Sequence, residues 1–370
     1  MKILQFGKFF PPDIGGMENF IYDLTEELSQ KIQCDVLCSN SKNRTTIENK
    51  KNYKVIRTKS FGKVFSTSIS PSMIYWLKKI GNDYDIIHLH LPDPMANLAY
   101  FLAKPKTKLI LHWQSDIIKQ KRLLFFYEPL QNWILKKADK IIATSPNYIE
   151  GSKYLKKYKE KCIVIPLGLN SNKFKINENK EKEIKSLYKD KPIIFTLGRL
   201  VYYKGFNYLI EAMKDIDAYL LLGGEGPLKE KLQKKIEDLN LKGKVFLLGK
   251  IKDEELSSYY RCCDVFCLPS ISKTEAFGIV QMEAMYFKKP IISTDIKGSG
   301  VSWVNQNNIT GLVVPPKDST ALSEAINKIL NNKELKEKFG ENGRKRFEKE
   351  FNITIISQKI LNLYKDIIKI

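Results

Sequence analysis

The stretch Thr274-Glu275-Ala276-Phe277-Gly278-Ile279-Val280-Gln281-Met282-Glu283-Ala284-Met285 comes just after Val265-Phe266-Cys267-Leu268-Pro269-Ser270. The short apolar run closed by a proline reads as a buried strand and its loop. The residues after Gly278 read as a helix. Glu275 then lies in the loop over the helix N-terminus, and Glu283, eight positions on, lies about one turn inside. A helix N-terminus attracts phosphate through its free N–H groups and its dipole. Two carboxylates beside such a site suit a guest that also carries hydroxyls, because ionised carboxylates accept strong hydrogen bonds. The stretch predicts a pocket for a nucleotide sugar.

At 370 residues the chain suits two domains, and 43% hydrophobic with 28% charged residues is a globular balance. No apolar run approaches the length needed to cross a bilayer. The opening Met1-Lys2-Ile3-Leu4-Gln5-Phe6-Gly7-Lys8 becomes charged too soon for a signal peptide and reads as a first buried strand. A cytoplasmic protein is expected. The six cysteines show no zinc spacing supported by histidines, and read as reduced core thiols. With three histidines in all, a histidine-rich metal site is not expected. The net charge is +21, and residues 1–165 hold 27 Lys and Arg against 15 Asp and Glu. Such a surface attracts nucleic acid, anionic lipid or a polyanionic substrate. Lysine is also a default polar filler, as between Lys153 and Lys161. A solvated surface with no partner therefore stands beside those readings.

Apolar runs alternate with amphipathic stretches from end to end. Strands are predicted at 2–6, 34–38, 86–90, 108–113, 140–144 and 162–166. After a charged break at 178–191, a second set follows at 193–198, 218–223, 245–248, 265–268, 290–294 and 311–314. Helical patterns between them include 17–31, 207–213, 227–239 and 279–287. The alternation predicts an α/β fold of two doubly wound parallel-sheet domains facing across a cleft. The first spans 1–170, with a helix at about 353–370 packing back on it, and the second spans 171–352. Ligands in such folds bind outside the carboxyl ends of the strands, where every motif below falls.

The second domain opens with Gly198-Arg199-Leu200-Val201-Tyr202-Tyr203-Lys204-Gly205. Arg199 and Lys204 converging at a strand end can neutralise a diphosphate, the former in bidentate fashion and the latter as a point charge. A solvated turn is the plain alternative. Gly223-Gly224-Glu225-Gly226-Pro227 is a glycine-rich turn that shapes the nucleotide cleft, and Lys250-Ile251 after another strand offers backbone contacts to a base. In the first domain, Phe9-Phe10-Pro11-Pro12-Asp13-Ile14-Gly15-Gly16 lets backbone N–H groups approach a phosphate, although a plain tight turn reads equally well. It is not G-x-G-x-x-G, so a nicotinamide site is poorly supported. His112 closes a strand in His112-Trp113-Gln114-Ser115-Asp116, where it can bond a sugar or place an acceptor. His88 and His90 share one sheet face and read as supporting residues.

Residues 118–137 mix Lys119, Lys121, Arg122, Lys136 and Lys137 with Leu123, Leu124, Phe125, Phe126, Trp133 and Ile134. Such a mixture can lie on a membrane surface. Pro129 is expected to interrupt any long helix there, and a pair of helices covering the sheet is the alternative. Nucleic acid is disfavoured, because the aromatics do not form a base-stacking motif.

Taken in order, these motifs resemble those of the retaining glycosyltransferases of family four, with the GT-B fold. The resemblance covers nearly the whole chain. It runs through Gly15-Gly16, His112, Gly198-Arg199, Lys204-Gly205, Gly223 to Pro227, Glu275 to Glu283, Pro290 to Asp295, and Gly311 to Val314 with Asp318. The chain departs from the pattern at Lys297-Gly298-Ser299-Gly300 and at Gln114, where many relatives show paired glycines and a second histidine. The resemblance implies a UDP- or GDP-type sugar donor, a glycan acceptor and no metal or other cofactor. It implies that Arg199 and Lys204 hold the diphosphate, helped by backbone at Gly16 and from Phe277 through Gly278 and Ile279 to Val280. Glu275 would contact the donor sugar, Glu283 the ribose, and His112 the sugar and acceptor. Transfer would proceed with retention by same-face attack. A lipid-linked acceptor and an anionic membrane surface are the expected partners. A GT-B epimerase or phosphorylase, and a non-catalytic binding protein, are the alternatives.

Overall fold

The computed structural model describes residues 1–13, 15–64, 67–118 and 121–369, apart from the side chains of 121–123. Of the residues singled out above, Ile14 and Lys119 lie outside the described residues, as do the side chains of Lys121, Arg122 and Leu123. The chain divides into two compact units, Met1–Leu169 with Ile353–Ile370, and Asn170–Asn352.

Along unit 1 run β1 (Lys2–Phe6), α1 (Gly16–Ser29), β2 (Gln33–Ser39), β3 (Thr46–Asn49), β4 (Lys54–Thr58) and a small hairpin of β5 (Lys63–Val64) and β6 (Thr67–Ser68). There follow α2 (Ser72–Ile80), β7 (Ile86–Leu91), α3 (Pro94–Ala103), β8 (Lys108–Trp113), α4 (Lys121–Lys137), β9 (Lys140–Ala143), α5 (Pro146–Gly151) and β10 (Cys162–Val164). Unit 2 contains α6 (Glu178–Leu187), β11 (Ile193–Leu197), α7 (Phe206–Ala212), β12 (Tyr219–Gly223), α8 (Lys229–Asp238), β13 (Val245–Gly249) and α9 (Asp253–Cys262). It continues through β14 (Val265–Leu268), α10 (Ile279–Tyr286), β15 (Ile291–Thr294), α11 (Val301–Val304), β16 (Gly311–Val314), α12 (Ser319–Leu330) and α13 (Lys333–Arg346). The last helix, α14 (Ile353–Ile368), belongs to unit 1.

The sheet of unit 1 has the order β10-β9-β8-β7-β1-β2-β4-β3, parallel except for the edge strand β3, and that of unit 2 is the wholly parallel β13-β12-β11-β14-β15-β16. The central runs are apolar because both faces are covered, and every residue of β7 is buried. β3 and β4 were not anticipated. β3 lies at the sheet edge with alternating partial exposure, so it carries no apolar run to reveal it. The expectation at Pro129 is corrected. α4 runs unbroken through it, from Lys121 to Lys137. The proline forfeits one bond, to the carbonyl of the exposed Phe125, while Ile134 and Leu135 anchor the helix with no exposed surface.

One face of the unit 1 sheet is polar. β7 and β8 pair His90 with His112 in register, and β1 sets Gln5 beside His88. The rings of His88, His90 and His112 stack, with centroids 4.5–5.3 Å apart and planes 9–25° from parallel. His90 Nε2 donates to Gln5 Oε1 at 2.8 Å. Tyr364 of α14 lies 2.5 Å from His88 Nδ1 and accepts from Gln5 Nε2 at 3.1 Å, which clamps the last helix to this face. Burial is the main cause holding His88 and His90 well below the ordinary 6.5, and it takes His112 down to about 3.

These rings stay neutral in the fold and gain protons on unfolding. Their contribution to stability is complete above pH 6.5, the ordinary value, and is lost as the pH falls from there toward 3. The slope is up to about 1.4 kcal/mol per pH unit for each ring. We expect the melting temperature of unit 1 to drop more steeply below pH 6.5 in the natural protein than in His112→Leu. Equal slopes in a pH series of thermal melts would remove the histidines as the cause.

Candidate functional site

In unit 2 the winding reverses between β11 and β14, for β11 leads outward to β12 and β13 while β14 leads to β15 and β16. In such sheets the crevice beyond the strand ends at this point is where ligands bind. Three strand ends are stitched together there. Gly198 N–H donates to Gly223 O at 3.0 Å, Leu200 N–H to Glu225 O at 2.9 Å, and Gly224 N–H to Gly249 O at 2.7 Å. Gly224 has φ +133°, and a Cβ on it would sit 1.9 Å from Gly198 O. Only glycine fits both the conformation and the approach. Ile251 packs over Gly223, its Cδ1 2.5 Å from where a Cβ would stand, while Lys250 is exposed.

Lys204 ends a single 3-10 turn, Tyr202–Lys204. Its side chain lies across Gly198, with Nζ 3.2 Å from the position of an added Cβ, and reaches Glu275 Oε2 at 2.5 Å. The two side chains are 10% and 12% exposed. Ser270, just past β14, donates to the same Oε2 at 3.2 Å, and Ser299 Oγ donates to the backbone oxygen of Glu275 at 2.5 Å. Tyr203 marks the shared field. Its phenol is pushed up first by burial and next by Glu275, with Lys204 and Arg199 pulling the other way. Arg199 itself is exposed. Burying an ion pair costs desolvation that its attraction scarcely repays, so stability is a poor reason for this one. What it provides is a cation and a carboxylate held at one strand end.

Gly278 caps α10 in the left-handed region, at φ 80° and ψ 62°, with Leu268 Cδ2 2.7 Å from an added Cβ. Ile279 and Val280 begin the helix and present its unpaired N–H groups. Phe277 is buried against Trp303 and Phe351. Glu283, also buried, accepts from Tyr260 at 2.7 Å and stands 4.0 Å from Lys173 Nζ. Burial raises its carboxyl above the usual range, while Lys173 and then Tyr260 act to lower it.

The structure thus gathers Arg199, Lys204, Gly224, Ile251 and Glu275 at one edge of unit 2, and gives Glu283 a separate set of partners. Lys173, Ser270 and Tyr260 escaped sequence reasoning. Ser270 sits inside the quoted strand-to-loop segment, but nothing separates Tyr260 from the many core aromatics.

Gly15, Gly16 and His112 belong to unit 1. Gly15 precedes α1, yet the Glu18 carboxylate folds back to within 2.2 Å of where its Cβ would be. The turn therefore presents a carboxylate beside its N–H groups. His112 has no exposed surface, and among the described residues neither of its ring nitrogens has a partner. It stacks on His90, whose Nδ1 accepts from Gln114 Nε2 at 3.3 Å. The three histidines bring ring nitrogens within 4.8 Å of one another. A metal needs lone pairs that converge, and those of near-parallel stacked rings lie in parallel planes.

Two family models divide the chain between them. Residues 14–173 match "Glycosyltransferase Family 4" and residues 177–346 match "Glycosyl transferases group 1". Among curated proteins, the chain is 34% identical to O-antigen chain mannosyltransferase C of Escherichia coli, over 100% of this chain and 99% of that one. It is 30% identical to the D-rhamnosyltransferase WbpZ of Pseudomonas aeruginosa, over 95% and 92%. Among solved structures, sucrose-phosphate synthase from Thermosynechococcus elongatus superposes with a TM-score of 0.82 over 99% of each chain at 23% identity, a likeness of fold. With the paired parallel sheets and the ordered motifs, these matches establish that the chain belongs to the family-four, group 1 glycosyltransferases of GT-B fold.

Proposed function

We propose that this glycosyltransferase moves a hexose from a UDP- or GDP-linked donor, with retention and without a metal, to a lipid-linked glycan such as an O-antigen, capsule or glycoprotein precursor. The observation that carries the reading is the Lys204–Glu275 pair at the reversal point of the unit 2 sheet, 2.5 Å apart. Transfer breaks the bond between the anomeric carbon and the diphosphate oxygen. Positive charge grows on the sugar ring and negative charge on the leaving group. Lys204 and Arg199 meet the latter, together with the first-turn N–H groups of α10. Charges already in place need no reorganisation as the bond breaks, which makes this term typically the largest in catalysis. Glu275 accepts from donor-sugar hydroxyls, and Glu283, steadied by Tyr260, accepts from the ribose. The acceptor hydroxyl attacks on the face the leaving group departs from, and a donor phosphate oxygen takes its proton. No side chain serves as a covalent nucleophile. Lys250-Ile251 would border the base.

We assign His112 a positioning role. Enclosed as it is, it supports His90, which in turn bonds Gln114 at the strand end. The glycan acceptor is favoured by the name of one bacterial relative, an O-antigen chain mannosyltransferase. The charge of residues 1–165, 27 basic against 15 acidic, favours an anionic, membrane-borne form of that acceptor.

Thermal-shift screening against UDP-, GDP- and dTDP-sugars tests the donor, since a ligand that binds the native state raises its melting temperature. Arg199→Ala and Lys204→Ala should each lower turnover by about 100-fold or more while the fold survives, as losing a preorganised charge contact does. Full activity in both would contradict the diphosphate role. Glu275→Ala should harm transfer more than binding of the free nucleoside diphosphate, and equal losses would count against a sugar contact. Tyr260→Phe should weaken nucleoside diphosphate binding by about tenfold, roughly 1.4 kcal/mol. Unchanged affinity in a titration would detach Glu283 from the ribose.

A further inference from the structure

We infer that unit 1 docks on an anionic lipid bilayer through the outer face of α2, α3 and α4 and the β5–β6 hairpin beside them. The inference rests on the lipid-linked acceptor proposed above and names the surface that would meet the lipid. α3 touches α2, α4 and β6 of the hairpin. A helix at the surface of a soluble protein ordinarily turns a polar face outward. α3 does not. Leu98 and Leu102, one turn apart, are 37% and 43% exposed, and no charged residue lies between Asp93 and Lys104. Its one amide, Asn97, is buried and donates to Tyr127 of α4 at 2.8 Å.

The elements that α3 touches also expose apolar groups. Phe125 and Phe126 of α4 are 73% and 80% exposed and pack edge to face on each other. On the hairpin, Phe61 and Val64 are 66% and 52% exposed. Lysines accompany the rings. Lys59 Nζ stands 5.1 Å over Phe61, and Lys79 Nζ stands 5.1 Å over Trp76 of α2. Between Lys59 and Asn82, and again between Pro94 and Ser115, the chain has no Asp or Glu. Exposed apolar groups clustered on neighbouring elements mark an interaction site. On α4 the one acid, Glu128, is paired with Lys153 at 2.8 Å. Aromatic and aliphatic groups interspersed with lysine complement hydrocarbon beneath a layer of anionic headgroups. Among the described residues no helix is long and apolar enough to cross a membrane, so the contact inferred is peripheral.

Co-sedimentation of the full chain with phosphatidylcholine vesicles, with and without phosphatidylglycerol, tests this. The natural protein should pellet with the anionic vesicles, less but still measurably at high salt. Phe125→Ser with Phe126→Ser, and separately Leu98→Gln with Leu102→Gln, should reduce the bound fraction by about tenfold at equal lipid, with unchanged melting temperatures. These side chains are already exposed, so the fold is spared. In Phe126→Trp, vesicles with brominated acyl chains should quench the added fluorescence. Absence of pelleting, undiminished pelleting by both double variants, or absence of quenching would each overturn the inference. So would equal binding to heparin and vesicles, abolished by salt and indifferent to the aromatic changes, which is how a mere polyanion or acidic-protein surface would behave. Vesicle binding without stabilisation by any nucleotide sugar would instead sink the functional reading and leave the docking face standing.

Discussion

The contact between Lys204 and Glu275 depends on three strand ends being drawn closer than side chains ordinarily allow. Lys204 lies flat because Gly198 beneath it has no Cβ, and Gly198 is held by the bond from its own N–H to Gly223 O. Gly224 in turn meets the carbonyl of Gly198 at a distance that only glycine tolerates. The carboxylate arrives from the other side of the reversal point, on the loop after β14, steadied by Ser270 and Ser299. Two opposite charges that are largely withdrawn from water attract strongly but lose hydration. A pair held at that cost, where the winding reverses, adds little to the stability of the fold. It keeps a cation and a carboxylate at fixed places.

Much of this was legible in the sequence, for reasons that differ by element. The central strands could be read because burial on both faces forces short apolar runs, as in Ile86 to Leu91 or Val265 to Leu268. The loops after them could be read because glycine pairs and basic residues recur where strands end. What stayed hidden had no local signature. β3 is an edge strand paired on one side only, so its residues need not be apolar. α4 passes through Pro129 because packing around Ile134 and Leu135 outweighs one lost hydrogen bond. Tyr260 reaches Glu283 across 23 residues of sequence, and only the placement of α9 beside α10 makes that meeting visible.

The polar face of the unit 1 sheet shows the limit of motif reading. His112 stands at a strand's end, where a histidine invites a direct role, yet its ring is enclosed between Phe20 and two other histidines. Burial makes protonation there expensive, so the rings stay neutral. The glycine pair before α1 carries a comparable surprise. A helix N-terminus favours an anion, and here the chain supplies its own in Glu18. A phosphate approaching Gly15 would have to displace that carboxylate, so the turn is less ready for a guest than the loop around Arg199 and Lys204.

Lysine serves two physical ends in this protein, and exposure tells them apart. Charges on α2 and the hairpin stand in water, where screening over about 8 Å at physiological salt confines their effect to a nearby surface of opposite sign. Lys204 is 10% exposed and faces a carboxylate at 2.5 Å. Its field is little screened by bulk ions. A count of +21 averages over both kinds. Lys204, among the least exposed charges of the described residues, and the lysines that stand in water enter that sum alike.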